Sequence, residues 1–141
     1  MIENQRVSEE GYSAGKRLDP EPPAATTSYG WRYHHMGVPT NVTRPGERYL
    51  EHLKMYVTGF ETSPYGVEWM RFGQGSPISE LIRTVPHIAF EVDDLDSALE
   101  GKQVLTAAMT LSEGIRVAMI IHDGAPIELL EFRRAPAPPK K

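Results

Sequence analysis

The sequence contains no cysteine, and this absence narrows the chemistry that the chain can perform. None of its 141 residues carries a thiol, so disulfide bonds, thiolate nucleophiles and zinc or iron–sulfur sites built on cysteine are excluded. A metal ion, if the chain binds one, must be held by histidine and carboxylate side chains.

Long apolar runs and clusters of basic residues are also missing. No stretch approaches the ~20 apolar residues of a membrane-spanning helix, and the N-terminus lacks the apolar core of a signal peptide. The formal net charge is −4 and the basic residues are scattered, which leaves no electrostatic footprint for nucleic acid or membrane. We therefore expect a soluble, cytoplasmic protein that binds neither.

The length suits one domain, or one domain made of two small halves. Hydrophobic residues make up 40% of the chain, which is enough for an ordinary soluble core. Residues 1–28, with the segment DPEPPAATT, are predicted to be a mobile tail that can reach over a partner subunit, and residues 134–141 a Pro-rich tail. The folded domain is then predicted over residues 29–133.

The folded region repeats one order of elements. In its first half we predict strands in GWRYHHMGVPT, KMYVTGF and VEWMRFG, and short helices in TRPGERYLEHL and in SPISELIRT, the latter capped by Ser76. In its second half HIAFEV is a predicted strand and DDLDSALEG a helix capped by Asp93 or Asp94. QVLTAAMTL, GIRVAMIIH and APIELLEF are three more strands, and Asp-Gly between the last two signals a hairpin. This order predicts an α+β fold made by internal duplication, with modules over about 29–74 and 85–133.

Each module opens with a histidine and closes with a glutamate. His35 begins HMGVPT and His87 begins HIAFEV, whereas Glu68 lies in VEWMRF and Glu128 in PIELLEF. A single residue of this kind is often structural or solvated, but the recurrence of all four favours a site. Imidazole and carboxylate together suit a divalent metal ion such as Zn, Ni, Co, Mn or Fe. Such an ion can polarise a carbonyl group and stabilise an enolate, and a carboxylate that detaches can abstract a proton.

These residues resemble the vicinal oxygen chelate superfamily, which includes glyoxalase I, methylmalonyl-CoA epimerase, extradiol dioxygenases and fosfomycin- or bleomycin-resistance proteins. The stretch VEWMRFGQGSPISELIRTVPHIAFEVDDLDSALEG is most similar to the epimerase branch and its glyoxalase-like relatives, and the likeness covers about residues 33–132. It implies two βαβββ-type modules that form a curved mixed sheet around a cavity, and by analogy a homodimer. It also implies the metal ligands His35, Glu68, His87 and Glu128.

The resemblance decides between neighbouring side chains. The H-M-G-V register matches the H-x-G-x strand of the superfamily and selects His35, so His34 is expected on the opposite face of the strand. The I-E-L register selects Glu128, so Glu131 is expected near solvent.

The first module is predicted to be abbreviated. His35 and Glu68 are 33 positions apart, whereas His87 and Glu128 are 41 apart, so the first half has lost a strand or shortened its loops. The epimerase has an acid/base group in this region, and we identify no corresponding residue in the first module of this chain.

We therefore expect a divalent-metal-dependent lyase or isomerase, such as an epimerase. It would abstract a proton next to a metal-chelated carbonyl of a small carbonyl or carboxylate substrate, with Glu128 as the favoured proton shuttle and Glu68 as the second. One alternative is a metal-free, drug-sequestering protein that uses the same cavity without chemistry. Another is a non-haem iron dioxygenase, which normally needs only two histidines and one carboxylate, so the four predicted ligands argue against it.

Overall fold

The computed structural model describes residues 15–18 and 22–133 of the chain. The chain divides into two units, residues 1–30 and residues 31–141. Within the first unit, the described part contains one helical turn, α1 (Ala24–Thr27), which the sequence did not predict.

Both predicted tails extend beyond the described residues. The predicted mobile tail over residues 1–28 lies partly outside them, and the predicted Pro-rich tail over residues 134–141 lies wholly outside them. Both tails therefore remain predictions.

The second unit is built on one eight-stranded sheet. Its strands are β1 (Arg32–Pro39), β2 (Arg48–Leu50), β3 (Met55–Thr58), β4 (Val67–Phe72), β5 (His87–Glu91), β6 (Gln103–Ser112), β7 (Ile115–His122) and β8 (Ala125–Phe132). Helix α2 (Glu80–Thr84) precedes β5 and helix α3 (Leu95–Leu99) follows it, and a 3-10 turn (Glu51–Leu53) joins β2 to β3.

The order of the strands shows two four-stranded halves that meet in the middle of the sheet. The spatial order is β2-β3-β4-β1-β5-β8-β7-β6. At the centre β1 and β5 run antiparallel to each other, and each is parallel to the last strand of its own half, β4 or β8. The sheet is mixed and curls into a half-barrel, which confirms the predicted α+β class with a curved sheet.

The first half is shorter because its last three strands are short and the helix after its first strand is missing. The segment predicted to be this helix forms β2 and the 3-10 turn, so that prediction was wrong. Tyr49 and Tyr56 are cross-strand partners with ring centroids 4.6 Å apart, and such pairs stabilise a sheet. Strands β2, β3 and β4 have 3, 4 and 6 residues, against 10, 8 and 8 in β6, β7 and β8. No strand has been lost.

The turns and caps follow the sequence with one exception. The side chain of Asp94 accepts a hydrogen bond from the Ser97 amide at the start of α3. Asp123 and Gly124 both have positive φ angles, 46° and 85°, as a two-residue type I′ hairpin turn requires. The exception is α2, which begins after Ser79 and not after the predicted cap Ser76; the Ser76 hydroxyl donates to the Leu53 carbonyl at 2.6 Å instead.

Glu131 was predicted to lie near solvent, and this prediction was wrong. Its side chain is only 7% exposed. It accepts a hydrogen bond from the backbone amide of Leu95 at 2.8 Å and one from Arg133 at 2.6 Å. The Leu95 amide, followed by Arg133 and Arg116, lowers the pKa of Glu131 against the opposing effect of burial. The carboxylate therefore anchors the first turn of α3 to β8.

We expect Glu131→Gln to lower the free energy of unfolding by about 1.5–3 kcal/mol at neutral pH, because hydrogen bonds to a charged group are lost. Since folding lowers the pKa of Glu131, its contribution is complete above the ordinary carboxyl pKa and disappears as the pH falls through the folded-state pKa. Urea unfolding at a series of pH values should therefore show the two proteins converging in acid. Glu113→Gln, in the exposed turn after β6, is the control, and a gap that does not change with pH would contradict the role of the charge.

Candidate metal site

The predicted ligands lie on the four central strands of the sheet. Strands β4, β1, β5 and β8 carry, in that spatial order, Glu68, His35, His87 and Glu128. Each of the two middle strands also places a small residue between two of these ligands. Gly37 is paired with both Glu68 and His87, and Ala89 is paired with both His35 and Glu128.

These small residues make room for the imidazole rings. Both histidines begin the pattern His-x-small, and because β1 and β5 are antiparallel, Gly37 faces His87 while Ala89 faces His35. A Cβ atom at position 37 would overlap Cε1 of the His87 ring and lie 2.6 Å from its Nε2. Glycine at position 37 is therefore what allows the His87 ring to lie across β1.

Three of the four predicted ligands form a close group. One ligand atom from each of His35, His87 and Glu128 lies within 4.8 Å of the other two. The Oε1 atom of Glu128 is 2.8 Å from Nε2 of His87 and 3.5 Å from Nε2 of His35. Both histidines are buried, at 4% and 3% exposure. This arrangement could hold a metal ion.

Glu68 lies beside this group but not within it. Its Oε1 atom is 3.8 Å from Nε2 of His35, and its side chain is more exposed than that of Glu128, 24% against 15%. The geometry thus gives three converging side chains and a second carboxylate at their edge.

The two carboxylates have opposite electrostatic surroundings. Burial disfavours the charged form of Glu128, but the imidazole of His35 beside it and the hydrogen bond with Nε2 of His87 outweigh this effect and lower its pKa to about 2. For Glu68, burial dominates and the charge of Glu128 adds to it, so the pKa of Glu68 is raised. Burial also opposes the charged form of His35, yet Glu128 and then Glu68 raise the pKa of that imidazole.

Two buried ring nitrogens at the site lack a partner within the described part of the chain. These are Nε2 of His35 and Nδ1 of His87. Buried polar atoms are nearly always hydrogen-bonded, so each such atom needs an explanation. The Nε2 atom of His35 points into the group of three side chains, where a ligand bond to a metal ion would satisfy it. The donor set of two imidazoles and carboxylate fits a first-row divalent ion.

His34 does not lie on the opposite face from His35, so that prediction was wrong. The register between β1 and β5 shifts between Tyr33 and His35, which makes His34 the extra residue of a β-bulge, and a bulge changes where side chains point. The Nδ1 atoms of His34 and His35 are 2.7 Å apart. The His34 ring stacks on Phe60 with centroids 4.8 Å apart and an interplanar angle of 15°.

A groove of about 300 Å³ adjoins the site on the side of Glu68. The residues that characterise it are Arg44, Arg48, Thr58, Phe60, Glu61 and Glu68. Arg44 donates from Nε to the Thr58 hydroxyl at 3.1 Å and lies over the Trp69 ring. The sequence analysis did not select Phe60 or Arg44. Phe60 could have been noticed as one of the two aromatic residues of GFETSPYG, the loop that leads into the Glu68 strand.

Comparison with known proteins supports the fold more than any activity. No protein-family model matches the chain, and no curated protein sequence matches it. A hypothetical protein (BH1468) from Bacillus halodurans C-125 has a similar structure, with a TM-score of 0.57 and 17% identity over 77% of this chain and 99% of that one. At this identity the likeness establishes a shared fold.

A second solved structure is methylmalonyl-CoA epimerase from Mycobacterium tuberculosis. It is 20% identical over 81% of this chain and 77% of that chain, with a TM-score of 0.42. A TM-score below 0.5 does not establish a shared fold.

No helix in residues 15–18 and 22–133 is both long and apolar enough to cross a membrane.

Proposed function

We propose that this protein is a divalent-metal-dependent lyase or isomerase of the vicinal oxygen chelate type, which moves a proton next to the carbonyl group of a small substrate. The observation that carries the proposal is the group of His35, His87 and Glu128 at the seam of two matching modules, in which both histidines are buried. These three residues would hold the ion. When bound, it would polarise the carbonyl group and stabilise the enolate formed by proton removal.

Glu68 is the carboxylate best placed to move the proton. It lines the groove and lies at the edge of the three ligands, whereas Glu128 is held between two imidazoles. This reverses the order that the sequence favoured. The raised pKa of Glu68 also suits a group that must take up and release a proton.

The groove gives the substrate a path to Glu68 and favours one that carries a carboxylate. The guanidinium group of Arg44 is held by Thr58 and Trp69, while its terminal nitrogens have no hydrogen bond or ion pair with the described residues. A fixed guanidinium with unused donors suits recognition of a planar anion. Arg48 lies in the same groove but is paired with Glu61 at 2.7 Å.

Metal content is the experiment that tests this function. Protein purified without chelator should contain a divalent metal, and adding metal to protein stripped by chelator should raise its melting temperature, because a ligand that binds only the native state stabilises it. If no metal is found and added metal does not change the melting temperature, the metal-dependent reaction is excluded. Binding of aromatic ligands in the presence of chelator would then favour the metal-free, drug-sequestering alternative.

The close group also supports a second function, a non-haem iron dioxygenase. Two histidines and one carboxylate form the facial triad of such enzymes, which leaves coordination positions open for oxygen. The four ligands predicted from the sequence argued against this alternative, but Glu68 lies outside the group of three. An activity assay without oxygen separates the two functions, since proton transfer continues there and oxygenation stops.

A further inference from the structure

The β-bulge in β1 gives His35 an unusual neighbour. In a regular strand adjacent side chains point to opposite faces, yet here the rings of His34 and His35 meet edge to face with centroids 5.0 Å apart. Their Nδ1 atoms are 2.7 Å apart, which is a hydrogen-bond distance. One of the two nitrogens must therefore carry the proton and the other must accept it.

The two possible arrangements have different consequences for the site. If Nδ1 of His34 donates, the proton of a neutral His35 is on Nε2, which then points among the ligands with no hydrogen-bond partner in the described chain. If Nδ1 of His35 donates, its Nε2 presents a lone pair to the same place. Only the second arrangement makes Nε2 of His35 a metal ligand, because coordination needs an unprotonated nitrogen.

The surroundings of His34 hold its ring for this contact. Phe60 stacks on one side, and the Phe132 ring centroid is 5.4 Å away with an interplanar angle of 31°. The two phenylalanines come from the loop before β4 and from the end of β8. Both halves of the sheet thus fix the orientation of a residue that does not itself belong to the close group of three.

We infer that His34 is a positioning residue that accepts a hydrogen bond from Nδ1–H of His35 and so directs the lone pair of His35 Nε2 at the metal position. The inference rests on the metal site of the proposed function. Hydrogen-bond partners of ligating histidines orient the ring and fix its tautomer, and losing one typically lowers metal affinity 10- to 100-fold. The usual partner is a carboxylate, a carbonyl group or water, whereas here it is a second imidazole.

Two substitutions at position 34 separate hydrogen bonding from ring packing. His34→Phe keeps an aromatic ring against Phe60 but cannot accept a hydrogen bond. His34→Asn loses the ring but places an amide oxygen near the position of Nδ1. We expect zinc affinity, measured by competition with a chromogenic chelator, to fall by about 10- to 100-fold in His34→Phe and to recover largely in His34→Asn. Circular dichroism and melting temperature of the metal-free variants confirm that they are folded.

Equal zinc affinity in wild type and His34→Phe would overturn the inference, as would an equal loss in both variants, which would indicate ring packing alone. The tautomer is measured separately in the metal-free protein, by long-range proton–nitrogen NMR at a pH above the titration of both histidines. There the proton of His35 should be on Nδ1, and a proton on Nε2 would contradict the inference. If wild-type protein binds no metal, the proposed function fails while this measurement still decides the histidine pair.

Discussion

Replacing His87 by alanine should abolish metal binding. His87 supplies one of the three converging candidate ligands, and its Nε2 atom is 2.8 Å from Oε1 of Glu128. Loss of an outer partner of a ligand costs 10- to 100-fold in affinity, so we expect loss of the ligand itself to exceed about 100-fold. Titration with zinc, monitored by a competing chelator, measures the effect, and the rise in melting temperature on adding metal should disappear.

The control for His87→Ala is His122→Ala. His122 ends β7 at the hairpin, where its side chain is 76% exposed and 3.8 Å from Asp123. The His122→Ala variant should bind zinc like the wild type. If His87→Ala also binds zinc with unchanged affinity and stoichiometry, the metal position is not at the seam of the two modules. Equal losses in both variants would indicate binding to scattered surface histidines.

Replacing Gly37 by alanine should damage both stability and metal binding. The three atoms nearest to the new Cβ all belong to the His87 ring, and one of them would overlap it. The ring cannot stay in place, and since it is 3% exposed it has little room to move. Overpacking of this kind costs about 1–3 kcal/mol, and the displaced ring loses its alignment with Glu128. Urea unfolding of the metal-free protein and zinc titration measure the two effects.

A double-mutant cycle isolates the clash. In a His87→Ala background the ring is gone, so adding Gly37→Ala should cost little further stability. The coupling energy between the two positions should therefore account for most of the cost of Gly37→Ala alone. Additive losses would mean that the backbone at residue 37, and not the contact with the ring, is responsible.

The sequence predicts the backbone conformation best where the local residues alone determine it. The hairpin at Asp123 and Gly124 is encoded in two residues that tolerate positive φ. The segment around Tyr49 is different, because its spacing fits a helix while its contact with Tyr56 on β3 favours a strand. A local sequence pattern does not show which strand will lie beside the segment. Here the pairing with that strand overrides the local preference for a helix.

The same distinction applies to the site. The recurring His and Glu identify candidates, and three of them do converge. The position of His34 depends on a bulge against β5, and the burial of Glu131 depends on the distant Leu95 amide. Neither contact can be inferred from the residues that are next to His34 or Glu131 in the sequence.

The placement of the candidate ligands on the four central strands has a consequence for biosynthesis. A ribosome delivers His35 and Glu68 first, then His87, and Glu128 only with β8, the last strand of the described chain. Domains tend to fold as they emerge, yet the first half alone has one histidine of the pair and an open edge at β1, where β5 belongs. The proposed metal site would therefore be complete only after nearly the whole sheet has been synthesised, so that binding of an ion there would be a late step of assembly.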